Sequence, residues 1–332
     1  KLITVFGGPN FPTEINEKLE FLQKRPAIDF NIELEGELAF ENLLNNLIDN
    51  NFNSFSLKKN NKKILNTCYL NENEIISGPI DRIKDINIIP SPYLTGALDY
   101  YFDYHLLPLL ETTRGCPFAC TFCADGIETK NRVYRVDSER TKDELNYIAK
   151  RAKNVDELII TDLNFAMYKH DLKTAKMIAE SQKIYNFPYL VSASYGKNMP
   201  KRTIGIASLL KGASFGAAIQ STDPEVLKNV RRSNISTEAY KELVDFGNTS
   251  EDSRNKTEAA IILGLPGDTK KKHYESIRFA VDNNVTFVRM FQAMLLSGTE
   301  MASKKDREKF GFKTKFRVIP GALGNYEILD KK

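Results

Sequence analysis

Histidine and cysteine are both scarce in this chain, and several larger features are missing outright. Three histidines, His105, His170 and His273, are scattered over 332 residues. That spacing points to surface or core roles and away from a histidine-built catalytic or zinc centre. No apolar run reaches membrane-spanning length, no signal-peptide pattern is present, and no segment repeats. Nor is there a strong charge imbalance: 47 basic against 43 acidic residues leave a formal charge of +4, too little to draw the chain to nucleic acid. The Asn/Lys-rich stretch Asn50–Lys63 suits a solvated loop. These absences fit a cytoplasmic protein, and the length allows about two domains.

The little cysteine there is lies concentrated. Three of the four cysteines fall in one run, Arg114-Gly-Cys-Pro-Phe-Ala-Cys-Thr-Phe-Cys123. A structural zinc site needs four ligands, usually as two close pairs. Cys68 stands alone, and the nearest downstream histidine, His170, is far outside zinc-ribbon spacing. A disulfide framework is not expected in a chain of this size and character. Three thiolates suit a 4Fe-4S cluster that leaves one iron without a protein ligand, open to a small molecule. A zinc-binding interaction module remains the reading of another class.

Through Cys116, Cys120 and Cys123 in C-x3-C-x2-C spacing, the chain resembles the radical S-adenosylmethionine (SAM) superfamily. The resemblance implies that the open iron chelates the amino and carboxylate groups of SAM. One electron then cleaves SAM to a 5′-deoxyadenosyl radical, which abstracts hydrogen from a substrate. It further implies that Phe122 packs near the adenine, that a flavodoxin or ferredoxin donates the electron, and that the protein is oxygen-sensitive.

From Leu106 onward, strand-like and helix-like segments alternate, as in a parallel α/β fold. Strands are expected at Leu106–Glu111, Glu157–Thr161, Tyr189–Ala193, Ser214–Ile219, Glu258–Leu263 and Val285–Phe291. Between them lie helices at about Thr141–Lys153, from Asp171, at Thr203–Lys211, from Asp223-Pro224, at Thr237–Phe246 and around Lys271–Asp282. Thr141 with Glu144 is a candidate capping box, and Asp171 and Asp223 are candidate caps. Six units are too few for a closed eight-fold barrel, but the resembled family uses an open barrel of six. Chemistry is then expected in the loops at the C-terminal strand ends.

Four of those loops supply cofactor candidates. Thr161-Asp-Leu-Asn164 occupies the place of the family's Gly-Gly-Glu-like segment, so Asp162 and Asn164 are candidates for the SAM amino group by position. After the third strand, Ser192, Ser194, Lys197 and Asn198 suit a carboxylate or a ribose. Gly216-Ala-Ala-Ile-Gln-Ser221 resembles the family's Gly-x-Gln-Ser stretch, which makes Gln220 a ribose-contact candidate, with Arg231-Arg232 completing the pattern. Gly264-Leu-Pro-Gly-Asp-Thr269 resembles the turn beneath the adenine.

The first hundred residues read differently. Ile3–Phe6 enters the turn Gly7-Gly8; Asp29–Leu34 enters Glu35-Gly36-Glu37 and a helix at about Leu38–Ile48, with Leu38, Leu43, Leu44, Leu47 and Ile48 on its apolar side. This order, and Pro90-Ser-Pro-Tyr-Leu-Thr-Gly96 after it, resembles the C-terminal half of the cobalamin-binding domain that precedes many radical SAM domains. Gly7, Gly8 and Gly36 are thereby cobalamin-contact candidates, although the Asp-x-His-x-x-Gly loop is absent. The expected fold is α/β: a partial (β/α)6 TIM-like barrel over 106–300, preceded by part of a flavodoxin-like domain over 1–60 and a linker over 61–105. The start of a C-terminal segment follows over 301–332. The resemblance implies a cobalamin-dependent methyl transfer to an unactivated carbon or phosphorus of a small molecule. A cobalamin-independent rearrangement or oxidation is the alternative among enzymes.

Overall fold

The computed structural model describes residues 2–196, 198–216, 218–249, 256–318 and 325–329. Near the N-terminus, β1 (Val5–Phe6) and β2 (Phe30–Ile32) pair in parallel across α1 (Ile15–Gln23). This is the strand–helix–strand unit expected of a doubly wound fold. In α2 (Glu37–Asp49), Ala39, Leu43 and Leu47 recur every fourth residue and are buried. Leu44 and Ile48, expected on the same side, are 37% and 50% exposed. A short α3 (Ser54–Lys59) is capped by the Asn53 side chain, which accepts from the Ser56 amide.

The stretch read as a linker carries more structure than its composition suggests. β3 (Thr67–Asn71) and β4 (Glu74–Ser77) form a hairpin that adds antiparallel to β2, giving the order β1-β2-β3-β4. Two short apolar runs flank an Asn-Glu turn here, with Glu72 in the left-handed region. Polar neighbours on both sides masked that pattern. Phe30, Leu43, Leu57 and Tyr69 form the heart of this unit's small core.

The barrel half follows the expected alternation. β5 (Leu109–Leu110) leads into a two-stranded ribbon, β6 (Thr113–Arg114) with β7 (Tyr134–Arg135), whose connecting loop holds the three cysteines. Then come α4 (Ser138–Arg151), β8 (Glu157–Phe165), α5 (Asp171–Tyr185), β9 (Leu190–Tyr195), α6 (Pro200–Ala207), β10 (Ala213–Gly216), α7 (Pro224–Asn229), α8 (Thr237–Asn248), β11 (Lys256–Leu263), α9 (Lys270–Asp282) and β12 (Phe287–Gln292). The six strands stand in the order β12-β11-β10-β9-β8-β5, and each neighbouring pair is parallel. Leu145 and Ile148 of α4, Leu158 and Ile160 of β8, Ile178 of α5 and Ile261 of β11 pack into one core between sheet and helices. α10 (Lys304–Phe310) and the hairpin β13 (Thr314–Val318) with β14 (Asn325–Leu329) follow.

The differences from expectation have local causes. β5 is short because Pro108 has no amide to donate, and Leu106 and Leu107 stay exposed. α4 begins earlier than expected, with Asp137 at the N-cap. Thr141 therefore lies inside the helix, its hydroxyl donating to the Asp137 carbonyl at 3.0 Å, while Glu144 pairs with Arg140 at 2.9 Å. Asp171 is the first helical residue of α5, and its Oδ2 accepts from the Tyr168 amide at 2.9 Å. Asp223 caps α7 as expected, accepting from the Val226 amide.

Candidate cluster and cofactor site

The cysteine loop is built by close backbone approach. Gly115 adopts φ +104°, and a Cβ there would lie 2.1 Å from the Arg132 carbonyl oxygen, so only glycine fits. A Cβ at Gly126 would meet the Cys120 carbonyl at 2.2 Å. The Cys116 amide donates to the Lys130 carbonyl at 3.3 Å, closing the loop's two limbs. Cys116 and Cys120 are buried, Cys123 is half-buried, and none of the cysteines is in a disulfide. Among the described residues, no three or more His, Cys, Asp or Glu side chains are gathered so as to hold a single metal ion.

Asp162 and Asn164 are expected in the loop after the second strand, but β8 extends through both. Period two places them on one face, towards the ribbon and its loop. Their roles differ sharply. Asp162 is 1% exposed, and its Oδ1 accepts from the Thr112 and Thr113 amides at 2.7 and 3.0 Å. Its Oδ2 accepts from the Thr112 hydroxyl at 2.5 Å. Burial raises its pKa, and the hydrogen bonds from Thr112 and Thr113 oppose that shift. This carboxylate is committed to holding the strand that enters the cysteine loop and does not stand free to face an ammonium. Asn164 instead donates its side-chain N–H to Cys116 Sγ at 3.2 Å, and its Oδ1 is buried without a partner.

Arg232 is the principal residue whose role the sequence left unassigned. Its guanidinium, 7% exposed, hydrogen-bonds Cys120 and lies within electrostatic reach of Cys123 and Cys116. Burial lowers its proton affinity, which the neighbouring thiols partly restore. Asn234 fixes it, accepting from Arg232 Nε at 3.0 Å while donating to the Ile219 and Ser221 carbonyls. Those two carbonyls flank Gln220. Arg232 Nη1 and Gln220 Oε1 are both buried without a partner. Arg231 turns the other way, to Glu300 on the surface.

Gln220 adopts φ +60° and pairs through its backbone with Ala260 and Ile262. The chain thus leaves the ladder after Gly216 and rejoins β11 at one bridge, Gln220 to Ile261. Phe122 packs against an apolar cluster that includes Val230, Leu265 of the Gly264–Thr269 segment, and Leu295. Gly264 and Gly267 both have positive φ there, as the turn requires. Ser192 donates to Glu157, the first residue of β8, at the opposite end of that strand from Asn164. Ser194 is exposed on the same face of β9. Ser192 is thereby engaged with Glu157, Ser194 stays exposed, and Lys197 lies outside the described residues.

Behind Cys116 sits a second polar cluster that the sequence did not announce. The Tyr168 and His170 rings stack at 5.4 Å. Burial pushes the Tyr168 phenol up to about 12, His170 down to about 4 and Asp171 up to about 6. On the N-terminal side, Gly8 has φ +102° with open space where a Cβ would stand, and Gly36, at the N-cap of α2, is equally open. Gly7 is more enclosed, 3.7 Å from Ile32. A cavity of about 50 Å³ joins Gly8, Glu33 and Leu34 to Ile127 and Lys130 of the cysteine loop.

Residues 110–280 match the Radical SAM superfamily. The chain is 28% identical over 94% of its length to TokK of Streptomyces tokunonensis, a cobalamin-dependent radical SAM methyltransferase, covering 46% of that protein. It is also 28% identical over 94% of its length to the 2-(S-pantetheinyl)-carbapenam-3-carboxylate methyltransferase of Streptantibioticus cattleyicolor, again covering 46%. The chain thus spans about half the length of these curated relatives. Among solved structures, the radical SAM methyltransferase TsrM of Kitasatospora setae, with cobalamin and a 4Fe-4S cluster bound, superposes with a TM-score of 0.66. That alignment has 15% identity and covers 90% of this chain and 56% of that one. It supports the fold. With the family matched over more than half of its residues, and the cysteine motif on the loop that follows the first strand of a six-stranded parallel barrel, the chain belongs to the radical SAM superfamily.

Proposed function

We propose that Cys116, Cys120 and Cys123 hold a 4Fe-4S cluster, that SAM binds beside it, and that the protein is part of a cobalamin-dependent methyltransferase acting on a small molecule. One observation carries the reading: Asn164 and Arg232, each with a buried, unpartnered polar atom, lie against a loop of three thiols, and Gln220, with another, belongs to the segment that Asn234 ties to Arg232. Buried polar atoms are normally satisfied, so such a gathering calls for a polar ligand. An amide and a cation suit a carboxylate and hydroxyls, which SAM presents. The cluster, when bound, supplies the electron that cleaves SAM, and a flavodoxin or ferredoxin supplies it to the cluster.

This chain's own residues do the placing. Asn164 directs an N–H at Cys116 Sγ, and the Arg232 guanidinium hydrogen-bonds Cys120. Phe122, Leu265 and Leu295 offer an apolar wall suited to a base. Gly8 and Gly36 leave room at the ends of β1 and β2, where doubly wound domains bind their ligands. Support for methyl transfer comes from the relatives, two of which are named as methyltransferases over nearly the whole of this chain.

The test is product analysis under anaerobic, reducing conditions with the full-length protein. A methyl transfer that also uses the radical consumes SAM in two ways, giving both S-adenosylhomocysteine and 5′-deoxyadenosine when cobalamin is supplied. Deoxyadenosine alone, with or without cobalamin, would replace methyl transfer by rearrangement or oxidation.

A further inference from the structure

The acidic loop at the end of β2 is gripped from both limbs of the cysteine loop. Glu35 is 9% exposed at its side chain, and its Oε1 lies 2.6 Å from Arg82 Nη2 and 2.7 Å from Nε. Arg82, its side chain 10% exposed, donates from Nη1 to the Arg132 carbonyl at 3.0 Å and lies over the Tyr134 ring at 5.0 Å. Arg132 and Tyr134 belong to the limb that returns from Cys123 to β7. On the outgoing limb, Arg114 stands two residues before Cys116. Its Nη2 lies 2.9 Å from Glu37 and 2.7 Å from Glu111, and Nε donates to Glu111 at 2.8 Å. Glu111 and Glu37 together raise the Arg114 pKa.

Two arginines thus meet Glu35 and Glu37 on either side of Gly36. Between them, the limbs they hold are packed backbone to backbone at Gly115 and Arg132, where no side chain fits. A shift of one limb cannot be absorbed there and must be passed to Cys116. We propose that Arg82 and Arg114 are positioning residues for the cluster loop, tying its geometry to the Glu35-Gly36-Glu37 loop of the N-terminal unit. Occupancy of the N-terminal unit is then felt at the cysteines through two charge pairs. Desolvation makes the Glu35–Arg82 pair the stiffer one, because removing either partner leaves an uncompensated buried charge.

This inference rests on the cluster reading for its consequence, but its test does not need the cluster. The three loop cysteines are alkylated with iodoacetamide in the cluster-free protein, and each rate is read by peptide mass spectrometry. Cys68, 0% exposed within the N-terminal sheet, reports global opening in the same sample. In Glu35→Gln and Arg82→Met, the rates at Cys116 and Cys120 should rise about tenfold, the order expected when a charge-assisted hydrogen bond is lost from a local opening equilibrium. The Cys68 rate should stay level, and Arg82→Lys should recover part of the protection. Unchanged rates at Cys116 and Cys120 would overturn the proposal. So would a parallel rise at Cys68, which would make the pairs ordinary contributors to stability. The cluster reading fails separately, by absent iron in a protein whose alkylation pattern is as expected.

Discussion

The barrel and the N-terminal sheet both hold loops over the ends of parallel strands, by different means. In the barrel, the entry to the cysteine loop is fastened from within: Asp162, buried on β8, binds the Thr112 and Thr113 amides and the Thr112 hydroxyl. A continuous core of Leu145, Ile160, Ile178, Val191 and Ile261 stands behind it. The N-terminal sheet has a small core around Phe30, Leu43 and Tyr69, and its acidic loop leans on arginines supplied from elsewhere in the chain. The difference shows where each loop's geometry is decided.

The largest effect should come from breaking the inner fastening. Asp162→Ala leaves two amides and a hydroxyl buried without an acceptor, at about 1–3 kcal/mol each. A destabilisation of about 3–5 kcal/mol is expected in denaturant unfolding, with cluster content falling alongside. Glu35→Gln, on the outer fastening, should leave global stability close to that of wild type. Equal losses in the two variants would erase the contrast.

A pH experiment sharpens it next. The Asp171 pKa near 6 lies above its ordinary value of 3.8 because the carboxyl is buried. The folded state therefore keeps a proton that the unfolded chain releases. Its stability contribution is full below about pH 4 and is lost as pH rises through 6. Asp171→Asn, which keeps an acceptor for the Tyr168 amide, should be more stable than wild type by about 3 kcal/mol at pH 7, with the gap closing near pH 4. A constant gap from pH 4 to 7 would remove burial as the cause.

Smaller effects concern ligands at the two rims. Gln220→Ala should weaken SAM binding about tenfold by calorimetry while iron content stays level. Ser192→Ala and Ser194→Ala should leave the affinity unchanged, because the Ser192 hydroxyl is engaged by Glu157 and Ser194 stays exposed. A loss in either serine variant equal to that of Gln220→Ala would show that the site extends along β9. At the other rim, Gly8→Val forces a branched side chain to φ +102°, a strain of about 1 kcal/mol. In the full-length protein it should also weaken cobalamin binding, and equal titrations would take Gly8 out of the site.

Much of this was legible in the sequence, for identifiable reasons. The strands of the barrel are apolar runs bounded by Gly, Pro, Asp and Thr, and the Asp223-Pro224 start of α7 is a local signal that tertiary contacts did not alter. The cysteines were legible as a spacing. Strand ends were less so: nothing in Thr161-Asp-Leu-Asn164 says that it continues β8, because the extension ends on a pairing of Phe165 with Tyr195 of β9, and Asp162 and Asn164 bond side chain to the ribbon and its loop about fifty positions earlier. The β3–β4 hairpin hid in Asn-rich composition. Arg232 could be noticed only as the second of two arginines, and its neighbour Arg231 goes to the surface. Such assignments rest on long-range contacts, which a local pattern does not carry.

The central claim is that three cysteines on one loop hold a four-iron cluster and the fourth cysteine does not. It is tested most directly by quantifying iron, sulfide and zinc in anaerobically reconstituted wild type, Cys120→Ala and Cys68→Ala. Wild type and Cys68→Ala should carry about four irons and four sulfides per chain, Cys120→Ala should lose them, and none should hold stoichiometric zinc. One zinc per chain in wild type, or a cluster that persists in Cys120→Ala and vanishes in Cys68→Ala, would contradict it.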